Sequence, residues 1–423
     1  MASFSFGAGN ARKLASLPLY ALGRIATILI PRRTTSWVFG CGVGIADGAL
    51  ALWNVAAAEG HTAIWLVGSA REARDAASLG IPHARKRSLR GFWLTARAGV
   101  VVITHGFGDV NRYAVSDAFV VQLWHGIPLK RIGLDSAETV RSGILPRSRT
   151  VRAVVGRMYR GAARRIRVLP AASHLVRGRL ESAFGLPDER VPVTGEPRVD
   201  VLSQGTPETR RSAARAAIAA AAGETDPADR LVLYAPTWRD GASDPAVPST
   251  EEWQRLVDVL SHHRAVLLVR SHPLGAGDYT PPFATERVLG LGSDVVPDVT
   301  PLLPGLDALV TDYSSLAFDA ALVPLPVVFL APDVDAYART RGFYGSYADV
   351  AGVDWASDWT EAATQLELLL GDESERARRV EAAERLSARV HDFRDGENTR
   401  RVYRAILVGL RELHPGPSTK GLR

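Results

Sequence analysis

The sequence predicts an α/β protein built from two doubly wound parallel sheets. From Trp37 onward, short apolar runs alternate with amphipathic stretches, as expected when helices cover both faces of a parallel sheet. The alternation stops at residues 203–230, which are polar and rich in alanine, and then restarts. A chain of 423 residues is also long enough for two or three domains of about 150 residues each.

The apolar runs are interpreted as strands, and the stretches with helical periodicity as helices. The predicted strands are Ser36–Phe39, Thr62–Val67, Gly99–Thr104, Phe119–Leu123, Arg167–Ala171, Arg190–Val193, Leu231–Tyr234, Ala265–Val269, Ala308–Val310 and Pro326–Leu330. The predicted helices are Asp47–Ala58, His174–Phe184, Glu208–Ala222, Glu251–His262, Ser315–Leu322, Ser374–His391 and Asn398–Glu412.

This pattern divides the chain into five regions. They are a basic amphipathic segment at 1–33, a Rossmann-like domain at 34–205, a linker at 206–230, a second Rossmann-like domain at 231–373 and terminal helices at 374–423.

Composition excludes several classes of protein. Hydrophobic residues make up 46% and charged residues 23% of the chain, which is typical of globular proteins and excludes wholesale disorder. Cys41 is the single cysteine, so a disulfide framework and a cysteine-built zinc site are excluded, and a reducing compartment fits. The 51 basic and 45 acidic residues give a net charge of +6, which favours anionic partners.

The N-terminal region indicates contact with a surface and not a membrane span. The apolar run Leu14–Ile30 is interrupted by Pro18 and Arg24, and it is shorter than the roughly 20 apolar residues that a span needs. Arg24 and the following Pro31-Arg32-Arg33 also disagree with a signal peptide. We interpret the run as an amphipathic helix that either lies on anionic lipid or packs on the domain.

A second basic segment, residues 139–170, contains nine arginines and no acidic residue. Because aromatic stacking residues are almost absent, nucleic-acid binding is disfavoured. The segment either faces a membrane or another polyanion, or it is a solvated basic helix.

The first candidate site residues follow a predicted strand, where ligands of parallel α/β sheets bind. His125 comes directly after Phe119–Leu123, and an imidazole can take a proton from an attacking hydroxyl near neutral pH. The turn from Gly126 to Leu129 offers backbone N–H groups to an anion. A structural role for His125 is the alternative.

Two later strands are followed by groups that suit phosphate. Arg270 and His272 project to one side and match a diphosphate, unless the arginine is only paired across the sheet edge. Ser314 and Ser315 lie at a helix start, where either phosphate binding or helix capping explains them. Asp319 lies on the same helix face and would bind a sugar or polyol hydroxyl.

Signatures of other chemistries are weak or absent. Asp333-Val334-Asp335 resembles the metal clamp of some sugar-nucleotide transferases, but no further ligand cluster accompanies it, and we predict no metal site. The sequence has no glycine-rich dinucleotide loop, Walker motif or nucleophile elbow, which argues against hydride transfer, P-loop hydrolysis and serine-hydrolase chemistry.

Five motifs occur together in one order. They are Leu123-Trp-His-Gly-Ile-Pro-Leu-Lys130 with Ile132-Gly-Leu-Asp135, Gly195-Glu-Pro-Arg198-Val-Asp200, Tyr234-Ala-Pro-Thr-Trp-Arg-Asp240, Arg270-Ser-His-Pro273, and Thr311-Asp-Tyr-Ser-Ser315 with Phe318-Asp319. In this order and spacing the chain resembles the CDP-glycerol glycerophosphotransferase family, whose members build teichoic acids and related poly(polyol phosphate) capsules. The resemblance extends from about Trp37 to the pattern of Phe393, Asp395-Gly396 and Arg401.

The resemblance implies a GT-B fold, with two Rossmann-like domains facing each other across a cleft and CDP held mainly by the second. It implies an enzyme that transfers glycerol phosphate, or a related polyol phosphate, from CDP-glycerol to an undecaprenyl-diphosphate-linked acceptor and releases CMP. It further implies a peripheral position on the cytoplasmic face of the bacterial membrane. No cofactor, metal or nucleic acid is expected.

Site roles carried over by motif position follow from the same resemblance. It implies His125 as the base that activates the acceptor and His272 as a second catalytic group at the diphosphate. The implied contacts to CDP-glycerol are Gly126, Ile127, Pro128, Leu129, Arg198, Pro236, Thr237, Arg270, Ser271, Ser314, Ser315 and Asp319. Because the family often has threonine where this chain has Ile127, only backbone contacts are expected at that position.

Two other functions are compatible with the sequence. One is a GT-B glycosyltransferase that uses a sugar nucleotide for an envelope polysaccharide. The other is a non-catalytic, membrane-bound scaffold of the cell envelope. The motifs also do not distinguish glycerol from ribitol donors, or a primase from a polymerase.

Overall fold

The computed structural model describes residues 17–136, 139, 148–239, 244–271 and 277–413. These residues form two α/β units. The first contains the described residues up to His125, Ile132–Asp200 and Glu397 onward; the second contains Gly126–Arg131 and Val201–Gly396. The predicted site residue His272 and residues 140–147 of the arginine-rich segment lie outside the described residues.

The sheet of the first unit has six strands. They are β1 Arg33–Phe39, β2 Thr62–Val67, β3 His83–Arg85, β4 Ala98–Ile103, β5 Phe119–Gln122 and β6 Ile166–Val168. The spatial order is β3-β2-β1-β4-β5-β6, and all described pairs are parallel. β4 is buried along its whole length, as its run of apolar residues predicts for a strand covered on both faces. The order reverses between β1 and β4, which makes this the topological switch point.

Helices pack against this sheet. They are α1 Leu17–Leu29, α2 Asp47–Ala58, α3 Ala70–Ser78, α4 Leu89–Arg97, α5 Arg149–Ala163 and α6 His174–Phe184. The serines before α3, α4, α5 and α6 each accept a backbone N–H of the first helical turn, so the sequence fixes where these helices begin. Trp37, Phe39 and Trp65 form the fully buried aromatic centre of the core.

The second unit repeats the same architecture with five strands. They are β7 Arg230–Ala235, β8 Ala265–Val269, β9 Val288–Gly290, β10 Ala308–Thr311 and β11 Val327–Phe329. Their order is β9-β8-β7-β10-β11, again all parallel, with the switch point between β7 and β10. Its helices are α7 Pro207–Ala222, α8 Thr250–His262, α9 Leu316–Ala320, α10 Val334–Thr340, α11 Ala348–Ala351, α12 Trp359–Gly371 and α13 Glu373–Val390.

The region predicted as a linker contains α7, which packs into the second unit. Arg211 and Arg215 on α7 both pair with the carboxylate of Asp307, at 2.8 and 2.6 Å. Asp307 also accepts the N–H of Leu231 at the start of β7, at 2.8 Å. Ion pairs that join a helix to a sheet edge leave no trace in hydrophobic periodicity, so the sequence does not reveal this docking.

The last described helix, α14 Asn398–Leu413, belongs to the first unit and not with α13. His61 Nε2 and the Tyr403 hydroxyl lie 2.9 Å apart. The carboxylate of Asp200 accepts the backbone N–H of Asn398 at 3.0 Å. The chain therefore returns to the first unit at its end, whereas the sequence grouped all terminal helices together.

Most predicted elements occur within a few residues of their predicted ends. One predicted strand, Arg190–Val193, is wrong: a short 3-10 turn ends at Arg190, and Val193 forms only an isolated bridge with Ala171. The strands β3 and β9 were not predicted, because three residues are too few to show a periodicity. Within the described ranges, no helix combines the length and the apolar character needed to cross a bilayer.

Candidate active site

The loops after β1 and β4 meet at the switch point of the first sheet, where Thr104 connects them. Its hydroxyl oxygen accepts the N–H of Gly42 at 3.2 Å and lies 2.8 Å from His105 Nδ1. A Cβ atom on residue 42 would lie 2.4 Å from the His105 ring, so only glycine permits this close approach.

His105 follows β4, His125 follows the neighbouring β5, and their rings stack. The ring centroids are 4.2 Å apart and the planes differ by 3°. The Trp124 ring lies 4.2 Å from His125 by centroid, and His125 Nδ1 is 3.4 Å from the carbonyl oxygen of Thr104. When Nδ1 carries its proton toward that carbonyl, Nε2 of the neutral ring is the proton acceptor. The predicted base is therefore oriented by ring contacts at a strand end.

Asp109 fixes the loop that carries His105. Its Oδ2 accepts, at 3.0, 2.7 and 3.1 Å, the backbone N–H groups of Thr104, His105 and Gly106. Burial raises the pKa of Asp109, and these three N–H groups oppose that rise. Burial lowers the pKa of His105 to about 2, and the adjacent His125 acts in the same direction. His105 is therefore neutral at physiological pH.

Arg198, a predicted phosphate contact, lies beside the same histidines. Its side chain is 11% exposed, and its Nε is 3.5 Å from Oδ1 of Asp47. Asp47 begins α2 with φ of 64°, and its Oδ1 accepts the N–H of Gly48 at 2.6 Å. The charge of Arg198 contributes to the lowered pKa of His105. This cation is held in place by a carboxylate, and its contact to phosphate stays a prediction.

The turn predicted to line the donor belongs to the second unit. All four of its residues, Gly126 to Leu129, are buried, and Gly126 has a φ of 121° that favours glycine. The carbonyl of Leu129 accepts the N–H of Tyr344 at 2.9 Å, and the N–H of Arg131 donates to Gly342 at 3.0 Å. Backbone pairing thus fixes this turn within the second unit.

Lys130 lies between those two backbone contacts and is partly buried. It forms a β-bridge with Phe343, and its ammonium lies 5.9 Å from the Tyr337 ring centroid. Burial lowers the pKa of Lys130 to about 8; nearby Asp312 opposes the shift and Arg239 adds to it. A partly buried ammonium without an ion-pair partner among the described residues suits an anionic ligand.

Predicted cytidine contacts lie at the switch point of the second sheet. Pro236 and Thr237 follow β7, and the N–H of Thr237 donates to Oδ1 of Asp312, which follows β10, at 2.8 Å. Thr237 is 9% exposed, and its hydroxyl oxygen is buried without a hydrogen-bond partner among the described residues. Since an unpaired buried hydroxyl costs free energy, it indicates a place for a polar group of a ligand.

Arg239 joins three loops at this edge. Its guanidinium donates to Asp312 at 2.8 Å and to both carboxylate oxygens of Asp333 at 2.9 Å. It also lies 4.9 and 5.0 Å from the ring centroids of Tyr313 and Tyr337. Asp333 belongs to the Asp333-Val334-Asp335 motif that resembles a metal clamp. In the structure its carboxylate instead pairs with the positive charge of the buried Arg239. No cluster of three or more potential metal ligands occurs in the described part of the chain.

The loop after β8 contains Arg270 and the half-buried Ser271. The guanidinium of Arg270 donates, at 3.3, 2.7 and 3.1 Å, to the backbone carbonyls of Leu291, Val296 and Pro297. Burial lowers its pKa, and nearby carboxylates oppose that shift. Arg270 therefore braces the segment after β9, a role that the sequence did not predict. The proposed diphosphate contact of both residues stays a prediction.

Ser314, Ser315 and Asp319 follow β10. The Ser314 hydroxyl accepts the N–H of Leu316 at 3.2 Å, so Ser314 caps the short helix α9. Ser315 makes no such capping bond with its side chain. Both serines are partly buried, whereas Asp319 is buried at 1% exposure. Capping accounts for one serine, and the predicted ligand contacts of all three residues stay predictions.

The described candidates fall into two groups. His125 and Arg198 lie in the first unit, and the later motifs meet at the carboxyl edge of the second sheet. Sequence reasoning missed His105 and Asp47. The signal that identified His125, a histidine directly after an apolar strand, also applies to His105 in Thr104-His105-Gly106.

Comparison with known proteins identifies the family of this chain. A model of the CDP-Glycerol:Poly(glycerophosphate) glycerophosphotransferase family matches residues 41–408. The chain belongs to this family. The matched range includes every candidate site residue, and the predicted resemblance is confirmed.

Members of the family from wall polymer synthesis are similar to this chain. The teichoic acid glycerol-phosphate transferase of Staphylococcus aureus is 29% identical over 278 residues, which are 63% of this chain and 66% of that protein. The teichoic acid poly(glycerol phosphate) polymerase of Bacillus subtilis is 27% identical over 63% of this chain and 34% of that protein. The matched region thus spans about one third to two thirds of the length of these relatives.

Solved structures show the same fold. The wall teichoic acid polymerase TagF is 20% identical with a TM-score of 0.73, covering 96% of this chain and 98% of that chain. A histidine-to-asparagine variant of TagF soaked with CDPG is 19% identical with a TM-score of 0.76, covering 96% and 97%. At this identity the likeness shows the fold alone, and it confirms the predicted fold class of two Rossmann-like parallel-sheet domains.

Proposed function

We propose that the chain is a CDP-glycerol glycerophosphotransferase. It moves glycerol phosphate, or a related polyol phosphate, to a hydroxyl of a lipid-linked wall-polymer acceptor and releases CMP. Family membership and the activities named for its relatives support this proposal. The observation that carries it is the second switch point, where the unpartnered Thr237 hydroxyl lies at the end of β7, the position at which doubly wound sheets bind nucleotides.

In this proposal the second unit binds the donor. Pro236 and Thr237 contact the cytidine, and the diphosphate meets positive charge from Arg270, His272 and Lys130 together with the backbone N–H groups at Ser315. Asp319 lies toward the glycerol end. Lys130 is an addition to the roles implied by the motifs, and it rests on its lowered pKa and its place beside the buried turn.

In the same proposal the first unit supplies the base. Nε2 of His125 takes the proton of the acceptor hydroxyl while its oxygen attacks the glycerol-bearing phosphorus. The bond from acceptor oxygen to phosphorus forms, the bond from phosphorus to the CMP oxygen breaks, and CMP leaves with the electron pair. Cationic groups and oriented N–H donors stabilise the developing charge, which is typically the largest catalytic contribution. No metal or cofactor has a role in this scheme.

Peripheral association with the cytoplasmic membrane face is part of the proposal. Helix α1 exposes Leu22, Ile25 and Leu29 at 62, 57 and 77% of their surface. Apolar side chains exposed on one face of a helix with basic residues nearby are typical of interfacial helices.

A donor panel tests the function. The purified full chain is incubated with CDP-glycerol, CDP-ribitol or a UDP-sugar and a synthetic undecaprenyl-diphosphate-linked acceptor, and products are read by mass spectrometry. We expect CMP release and mass increments of one polyol phosphate. UDP release from the sugar donor would instead indicate a glycosyltransferase, and nucleotide binding without turnover would indicate a scaffold.

A further inference from the structure

We propose that the first unit contains a headgroup site for an anionic phospholipid, formed by Arg24, Arg164, Arg165 and Arg167 beside the apolar face of α1. The proposal rests on the membrane association proposed above and adds a defined binding site to it. The site lies at the amino-terminal edge of the first sheet, whereas His125 lies at the carboxyl-terminal edge.

Helix α1 is fixed to the first unit by one face. A Cβ atom on residue 23 would lie 2.2 Å from the carbonyl oxygen of Tyr113, so glycine is needed there for close packing. The Tyr20 ring packs edge-to-face on the Tyr113 ring with centroids 4.8 Å apart, and Thr27 is buried. The opposite face carries four apolar side chains that are 57 to 77% exposed: Leu22, Ile25, Ile28 and Leu29.

A cavity of about 220 Å³ opens beside this face, lined by Arg24 of α1 and by residues of the loop before β5 and of the start of β6. Arg164, Arg165 and Arg167 contribute three more guanidinium groups, and among the described residues Asp117 is the one acidic residue of the lining. None of the four arginines has an ion pair or side-chain hydrogen bond with a described residue. Four positive charges thus face one negative charge.

Hydrogen bonds from Arg32 hold one wall of the cavity, the loop before β5, in place. The half-buried guanidinium of Arg32 donates to the carbonyls of Ala114 at 2.9 Å and Ser116 at 2.5 Å, which holds the loop before β5. Burial lowers the pKa of Arg32 to about 10, so it keeps its charge at neutral pH. The amino-terminal ends of β5 and β6 are adjacent in the parallel sheet, which brings this loop beside Arg167.

Charge and size together identify the ligand class. Guanidinium groups bind phosphate oxygens through paired hydrogen bonds. The cavity is smaller than the roughly 300–1,000 Å³ that encloses a drug-sized ligand, so it suits a phosphate-bearing headgroup. A soluble phosphate or an RNA backbone would leave the apolar face of α1 in water. A phospholipid in a bilayer satisfies both features, because its phosphate meets the arginines while the apolar side chains enter the acyl region.

Vesicle co-sedimentation of the full chain tests this site. Vesicles of phosphatidylcholine, with or without phosphatidylglycerol, are compared for the wild type, for Arg165→Gln with Arg167→Gln, and for Arg74→Gln with Arg87→Gln. The last pair removes the same charge from exposed arginines that follow β2 and β3. Arg24→Gln is a second pocket variant and lies on helix α1. Melting temperatures confirm that the variants fold.

We expect the pocket pair to bind phosphatidylglycerol vesicles about thirtyfold more weakly, or about 2 kcal/mol for two charges. The control pair is expected to lose less than about threefold, and binding to pure phosphatidylcholine is expected to be the same for all variants. Equal losses for both pairs would show general electrostatic attraction and overturn the site. Stabilisation of the wild type by inorganic phosphate without any preference for anionic vesicles would overturn phospholipid as the ligand.

Turnover with a water-soluble acceptor analogue separates this site from the transferase itself. The pocket variants are expected to keep wild-type turnover of that acceptor, since none of the four arginines has a role in the proposed chemistry. A wild type that binds no vesicles would contradict both the membrane association and the headgroup site while leaving the transferase activity to its own test.

Discussion

His105 stacks on His125 with ring centroids 4.2 Å apart and planes 3° apart, so the proposed base is oriented by a second imidazole. Burial lowers the pKa of His105 to about 2, and His105 therefore does not compete for the acceptor's proton. Thr104 and Asp109 in turn fix the His105 ring and its loop. In the proposed mechanism the pair separates two tasks, since His105 sets the orientation and His125 exchanges the proton.

Replacing His105 tests this positioning role. We expect His105→Ala to lower kcat about tenfold to a hundredfold, because small misplacements of a catalytic group have effects of this size. His105→Phe keeps a ring for stacking and is expected to lose much less. Steady-state kinetics with CDP-glycerol measure both. The acidic limb of the pH–rate profile is expected to stay where it is in the wild type; its disappearance in His105→Phe would show that His105 itself titrates.

Thr237→Val tests the second switch point without disturbing the fold. Because the Thr237 hydroxyl is buried and unpaired, its replacement by a methyl group is expected to leave the free energy of unfolding unchanged or higher. CDP-glycerol binding is expected to weaken about threefold to tenfold, the value of one hydrogen bond of roughly 0.5–1.5 kcal/mol. Calorimetry measures the affinity for CDP-glycerol, and urea denaturation measures the free energy of unfolding.

Thr311→Val is the matched control. The hydroxyl of Thr311 donates to the carbonyl of Ala235 at 2.7 Å, so this variant is expected to lose stability. If Thr237→Val binds CDP-glycerol as tightly as the wild type, the proposed contact between Thr237 and the donor is contradicted.

Lys130 gives the proposed donor site a pH dependence. Below its pKa of about 8 the ammonium is charged and attracts the diphosphate, and above it the charge is lost. CDP-glycerol affinity is therefore expected to fall as the pH rises from neutral to about two units above that pKa. Lys130→Arg, which stays charged, is expected to remove the fall. Lys130→Met is expected to weaken binding below the pKa of Lys130 and to match the wild type well above it. A wild-type affinity that is constant over this range would contradict the contact.

Arg239 is predicted to carry much of the stability of the second unit. Its side chain is 6% exposed, and it is paired with Asp312 at 6% and Asp333 at 24%. Arg239→Met leaves two carboxylates without their partner, and we expect the free energy of unfolding to fall by about 3–5 kcal/mol in urea. Arg264→Met is the control, since Arg264 is 59% exposed and pairs with Asp226 at 55%. The free energy of unfolding of Arg264→Met is expected to fall by only about 0–1 kcal/mol. Equal losses for Arg239→Met and Arg264→Met would contradict the stabilising role assigned to Arg239.

Where burial dictates residue type, the sequence predicts the fold well. The strands Thr62–Val67 and Ala265–Val269 and the helix His174–Phe184 occur with their predicted ends, because a continuous apolar run or an amphipathic period marks each one. The edge strands β3 and β9 lack such a run. The return of Asn398–Leu413 to the first unit depends on contacts such as Asp200 with Asn398, which join distant parts of the chain.

The placement of the candidate residues at strand ends was predictable to a similar degree. His125 and Thr237 follow strands and belong to recognisable motifs, so the sequence names both as candidates, and their roles stay predictions. The ring stack, the brace from Arg270 to backbone carbonyls and the pairing of Arg239 with Asp333 are three-dimensional contacts that no spacing encodes. The sequence therefore names most of the candidate groups, and the structure adds the contacts that support them.

The most direct test of the account is the turnover of His125→Ala with CDP-glycerol and a lipid-linked primer, measured as CMP release. We predict a loss in kcat well above tenfold, with the affinity for CDP-glycerol kept within about threefold because the donor is assigned to the second unit. A loss below about tenfold, or roughly 1.4 kcal/mol of barrier, would show that His125 is not the base and would contradict the proposed mechanism.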